Sequence, residues 1–100
     1  MIKHIVMWTL KDEFDGQKKS EIADTLKSLL LSLKTKISQI KYIEVGINEI
    51  NHNQNYDIVL TSEFESFDDL AIYSTHPEHI KVVEFLKDRR LERVATDFTI

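Results

Sequence analysis

Cysteine is absent from this chain of 100 residues, which excludes a disulfide framework and any thiolate chemistry. Proline occurs once, at Pro77, and glycine twice. So few breakers leave little room for long loops and point to dense secondary structure. No apolar run approaches the length of a membrane span. The run that starts at Ile2 is too short for a signal peptide core followed by a cleavage site. These absences read as a cytoplasmic protein with no membrane partner. Positive charge is also in short supply: Lys and Arg number 13 against 17 Asp and Glu, a net charge of −4. No basic stripe exists to neutralise phosphates, which argues against nucleic acid. The densest basic run (Lys87, Arg89, Arg90 and Arg93) is interleaved with Asp88 and Glu92 and reads as a solvated helix face.

A hydrophobic fraction of 42% and a charged fraction of 30% are those of a globular protein. The length suits a single domain over residues 1–100. A chain this short buries only part of its apolar surface, so a second subunit would help it. Residues 2–10 read as a strand, with Ile2, His4, Val6, Trp8 and Leu10 on one face and Lys3, Ile5, Met7 and Thr9 on the other. Both faces are largely apolar, so both should be covered. Asp15-Gly16 marks a turn. Over 17–38, Ile22, Leu26, Leu29, Leu30, Leu33 and Ile37 recur at helical spacing, the pattern of a core-facing helix.

Residues 41–50 and 56–64 read as a hairpin of strands around a polar loop with four asparagines. In the second of these strands Tyr56, Ile58, Leu60, Ser62 and Phe64 share a face. Ser66 suits an N-cap, with Asp69 in the position of a capping-box acid. A short helix then stops before Pro77, and another starts there, carrying Ile80, Val83 and Leu86 or Phe85 inward. Residues 93–100 alternate as a closing strand. The order is strand, helix, strand, strand, helix, strand: an α+β, ferredoxin-like pattern, an antiparallel sheet with helices on one face. Ile5, Met7 and Val59 then lie on the uncovered face, and an apolar face on so small a protein marks an interaction surface. Two copies stacked by a two-fold axis would cover it, which predicts a homodimer through sheet faces.

The segment richest in chemistry is Tyr73-Ser74-Thr75-His76-Pro77-Glu78-His79. Proline is accepted in the first turn of a helix, so His76 should end a turn and Pro77 should open the next helix. His79 then lies near the positive end of the helix dipole, which favours a neutral ring able to accept a proton. It is either a general base or a ring that locks the helix start through a backbone carbonyl. Tyr73 either donates a proton and stabilises an enolate or is a core aromatic whose hydroxyl reaches a buried partner. His76, before proline, suits a helix-end role. His4 sits in an apolar strand face and needs a partner. A zinc site on His76 and His79 would want further ligands; Glu78 points elsewhere on the helix and His52 lies in a distant loop. No metal is therefore expected.

These residues carry a family resemblance. The pieces are Ile2-Lys3-His4-Ile5-Val6, Val45-Gly46-Ile47-Asn48, Tyr56-Asp57-Ile58-Val59-Leu60, Phe64-Glu65-Ser66, the Tyr-x-x-His-Pro-x-His motif of Tyr73 to His79, and Val94-Ala95-Thr96-Asp97-Phe98. Across essentially the whole chain they resemble the Dabb family, the stress-responsive dimeric α/β-barrel domain. The resemblance implies a ferredoxin-like monomer, a dimeric α/β barrel and a pocket between sheet and helices. Some plant members are polyketide cyclases, in which the tyrosine of the motif and the histidine after the proline form an acid/base pair. On this chain those are Tyr73 and His79. His4 matches a pocket histidine on the first strand, and Trp8, Ile58 and Leu60 share the pocket-facing sheet face. Where the plant cyclase has a further pocket histidine, this chain has Ile58. Two functions follow as expectations. One is a dimer that binds a small apolar or carbonyl-containing molecule, with cyclase-like acid/base chemistry and no cofactor. The other is a structural or stress-linked dimer with a filled interior.

Overall fold

A strand buried on one face needs a neighbour on each side and a cover on that face. β1 (Ile2–Leu10) obtains both. In the computed structural model, which describes residues 1–100, β1 pairs antiparallel with β5 (Ile58–Phe64) on one side and with β6 (Arg90–Thr99) on the other. β4 (Tyr42–Ile47) pairs with β5 to complete a four-stranded sheet in the order β4-β5-β1-β6. This is the ferredoxin-like arrangement that the order of elements predicts. Ile2, His4, Val6, Trp8 and Leu10 face the helices and are buried, and Ile58, Leu60, Ser62 and Phe64 do the same on β5.

The cover is α1 (Lys19–Lys36), α2 (Phe67–Thr75) and α3 (Pro77–Lys87). α1 buries Ile22, Ala23, Leu26, Leu30 and Leu33, while Leu29 is partly buried. At about 1.5–3 kcal/mol for each fully buried large aliphatic chain, this stripe is a main source of stability. Ser66 caps α2, its Oγ accepting a hydrogen bond from the Asp69 N–H at 3.1 Å. His76 both ends α2 and caps α3, its ring nitrogen accepting from the Glu78 N–H at 3.1 Å, with Pro77 at the first helical position. The expected helix-end role of His76 is therefore met by its side chain.

Three expectations need correction. The inward stripe of α3 is His79, Val82 and Leu86, whereas Ile80 is exposed and Val83 half-exposed at the rim of a cavity. The spacing of three and four runs through a histidine, so a pattern sought among apolar residues alone slips by one position. The basic run is not a helix face either. α3 ends at Lys87, the chain turns at Asp88 and Arg89, and Arg90 and Arg93 belong to β6. Lastly, the segment before α1 is more than a turn. β2 (Glu13–Phe14) and β3 (Gln17–Lys18) form a small hairpin. Asp15 and Gly16 both adopt positive φ, 52° and 81°, as a two-residue turn of this hand requires. Arg89 stacks over Phe14 and Phe85 at 4.9 and 4.2 Å and donates to the Phe85 carbonyl, so it ties the hairpin to the end of α3.

The other face of the sheet has no helix. Met7, Val94 and Phe98 lie there with exposures of 37%, 40% and 39%. The register explains their grouping, since Met7 is opposite Val94 and Lys3 is opposite Phe98.

Candidate functional site

Between β1, β6 and α3 lies a cavity of about 300 Å³. β1 sends His4, Val6 and Trp8 into its wall, because alternate residues of a strand share a face. β5 adds Leu60, α2 adds Tyr73, and the inner stripe of α3 adds His79, Val82 and Leu86. Of the residues singled out in the sequence, His4, Trp8, Leu60, Tyr73 and His79 thus meet at one cavity. Ile58 does not: it is buried in the core between Trp8 of β1 and Ile47 of β4, and it borders only a shallow depression.

Tyr73 is 1% exposed, and its hydroxyl finds no hydrogen-bond partner in the protein. Burial pushes its phenol well above the usual range, with the charge of Arg93 opposing in part. The O–H therefore stays protonated at any physiological pH, and its proton is free to be donated. Its ring lies 4.4 Å from that of His79, 5.0 Å from Phe64 and 6.0 Å from His4.

His79 Nδ1 lies 3.0 Å from the Ser74 carbonyl oxygen. A carbonyl only accepts, so Nδ1 carries the proton, and Nε2 is left as the basic nitrogen of the neutral ring. Burial lowers the imidazole pKa below its ordinary value, with Coulombic effects of His4, Arg93 and His76 adding to this and the Ser74 carbonyl opposing it. Near neutral pH the ring is uncharged.

His4 is buried, and its Nδ1 is hydrogen-bonded to a carboxylate oxygen of Asp97. The partner stands directly opposite on β6. A buried histidine on an apolar face signalled the need for such a group. Only the strand register, which joins positions 93 residues apart, identifies which group it is.

Two residues of the site had no signal of this kind. Arg90 and Arg93 both line the cavity. Alternation would put positions three apart on opposite faces. The register shifts between Trp8 and Leu10, so that Trp8 pairs with Arg93 and Leu10 with Arg90. This β-bulge adds one residue to β6 and brings both guanidiniums to the helix side. No three histidine or carboxylate side chains converge as a metal ion would require, and no helix is long and apolar enough to cross a membrane.

Comparison with known proteins bears on this arrangement. The family model described as Stress responsive A/B Barrel Domain matches residues 2–100. A stress-response A/B barrel domain-containing protein of Arabidopsis thaliana is 32% identical over 85 residues. That match spans 84% of this chain but only 30% of the plant protein. A dimeric ferredoxin-like protein of unknown function from Bacteroides fragilis superposes with a TM-score of 0.87 at 35% identity, covering 99% of this chain and 95% of its own. A hydroxynitrile lyase from Passiflora edulis superposes with a TM-score of 0.83 at 14% identity, over 99% of this chain and 92% of that one. At that identity the likeness is one of fold.

Proposed function

The chain belongs to the stress-responsive A/B barrel domain family, and from that premise we propose that it is a homodimer whose subunits each bind a small apolar or carbonyl-containing molecule beside Tyr73 and His79. The observation that carries this reading is the cavity itself. It leaves open space next to a buried phenol without a partner and an imidazole with one nitrogen already fixed. A purely structural dimer would fill that space. Its volume lies at the lower end of the range for small-molecule pockets.

The chemistry that suits these groups is proton abstraction beside a carbonyl. The Tyr73 O–H donates a hydrogen bond to the carbonyl oxygen. His79 Nε2, uncharged near neutral pH, takes the proton from the adjacent carbon. The negative charge that develops on oxygen is held by the same tyrosine donor. The Ser74 carbonyl steadies the imidazolium that forms, through the Nδ1–H. Removal of one such donor costs roughly a hundredfold in rate, as does loss of a positioned base.

Dimer formation is supported by the uncovered apolar face of β1 and β6, and the Bacteroides fragilis relative is described as dimeric. A cytoplasmic location is part of the same proposal and is tested by cell fractionation. The test of the chemistry is turnover of a β-keto or polyketide-like substrate. His79→Ala and Tyr73→Phe should each lower it by roughly a hundredfold or more, with circular dichroism and thermal melts close to those of the unmodified protein. Loss of several kcal/mol of stability in both variants, with ligand binding unchanged, would mean that the residues serve packing and that the enzyme reading is wrong.

A further inference from the structure

The cavity is chemically lopsided. Leu30, Val82, Leu86 and Trp8 make one part of its wall apolar, whereas Arg90 and Arg93 contribute two guanidiniums from the β6 side. Neither guanidinium takes part in any of the ion pairs of the protein. The acids nearest to them along β6 are engaged elsewhere. Glu92 accepts a hydrogen bond from the Tyr56 hydroxyl at 3.2 Å, and Asp97 is bonded to His4. Acidic residues outnumber basic ones in this chain, so two neighbouring arginines without a carboxylate are a local exception. A bulge in β6 is what brings both to the cavity. The charge of Arg93 is also felt inside it, where it acts on both Tyr73 and His79.

We infer that Arg90 and Arg93 form an oxyanion-binding end of this cavity, so that the ligand is a small organic anion: an apolar body carrying one carboxylate or phosphate group. Arginine presents a planar fork of donors that matches either oxyanion, and such bonds strengthen beside an apolar wall. The apolar body would lie along Trp8, Val82 and Leu86, with its anionic end toward β6. This inference rests on the reading of the cavity as a ligand site and adds to it the charge and polarity of the ligand.

The chain's only tryptophan, Trp8, lines the cavity and serves as a fluorescence reporter. The probes are phenylbutyrate, its neutral amide, and phenylpropyl phosphate, titrated into the unmodified protein and into Arg90→Gln/Arg93→Gln. At least one anion should bind on the order of tenfold more tightly than the amide. That preference should vanish in the double variant, while the affinity for the amide stays the same, which also shows that the cavity is intact. The order of carboxylate and phosphate identifies the head group. Equal binding of amide and anions, or a preference that survives in the double variant, overturns the inference and leaves the cavity reading standing. No binding of any probe overturns both.

Discussion

β5 and β6 flank the same strand, yet their fates differ. Both are hydrogen-bonded to β1 along its length. On β5 every second residue from Ile58 to Phe64 is buried, whereas on β6 all ten residues are exposed. Backbone pairing is therefore not what makes a core. β5 lies in the middle of the sheet beneath helices, and its alternate side chains have hydrocarbon above them. β6 lies at the sheet edge, where the space on its helix side is the cavity and its outer side is bare. The covered strand carries stability. The uncovered one is left with the charged and polar groups, Arg90, Arg93 and Asp97, that a closed core would not accept without partners.

The largest effect that tests this contrast is on β5. Ile58→Ala should cost about 2–5 kcal/mol, read by chemical denaturation, and should leave ligand affinity unchanged because Ile58 lies outside the cavity. Val94→Ala on β6 should cost less than about 1 kcal/mol within the monomer. Equal losses at both positions would abolish the distinction.

A smaller effect is expected between subunits. Val94→Lys should leave the fold intact and raise the dimer dissociation constant by roughly tenfold or more, since a charge would be placed in a dry interface. Sedimentation or light scattering at micromolar concentration measures it. A dimer unaffected by this change would put the interface on a different surface.

The smallest expected effect is a dependence on pH. The pKa of His79 is lowered in the folded protein, first by burial, and the neighbours whose Coulombic effect lowers it further are His4, Arg93 and His76. As the pH falls through about 6.5, the ordinary histidine value, the unfolded chain takes up a proton that folded His79 still refuses. The unfolded state then binds more protons, so stability declines with falling pH until the lowered folded pKa is passed. His79→Gln should flatten this slope in melts between pH 7 and pH 5. An unchanged slope would assign it to other groups.

Local pattern was enough for most of the fold. The alternation of β1, the leucine stripe of α1, the cap at Ser66 and the break at Pro77 each depend on neighbours within a few residues, and periodicity reports those. Their order named the ferredoxin-like arrangement. The Tyr73 to His79 motif pointed to the two side chains that now lie 4.4 Å apart ring to ring, because one turn and one helix start place them.

Other features depended on pairing at a distance. The bond of His4 to Asp97 requires two ends of the chain to meet in register. Arg90 and Arg93, which in the sequence read as part of a solvated helix face, belong to β6 and face one cavity because a bulge interrupts the alternation of that strand. The inner stripe of α3 includes His79, and hydrophobicity alone does not place a histidine on an inner face. The sequence by itself therefore determined the main elements and their order and marked Tyr73 and His79 as neighbours, since short-range periodicity and capping encode these. Only the tertiary structure decided which side chains share a cavity and which charges lack a partner. Those are properties of register and cover, and they exist only once distant segments have packed together.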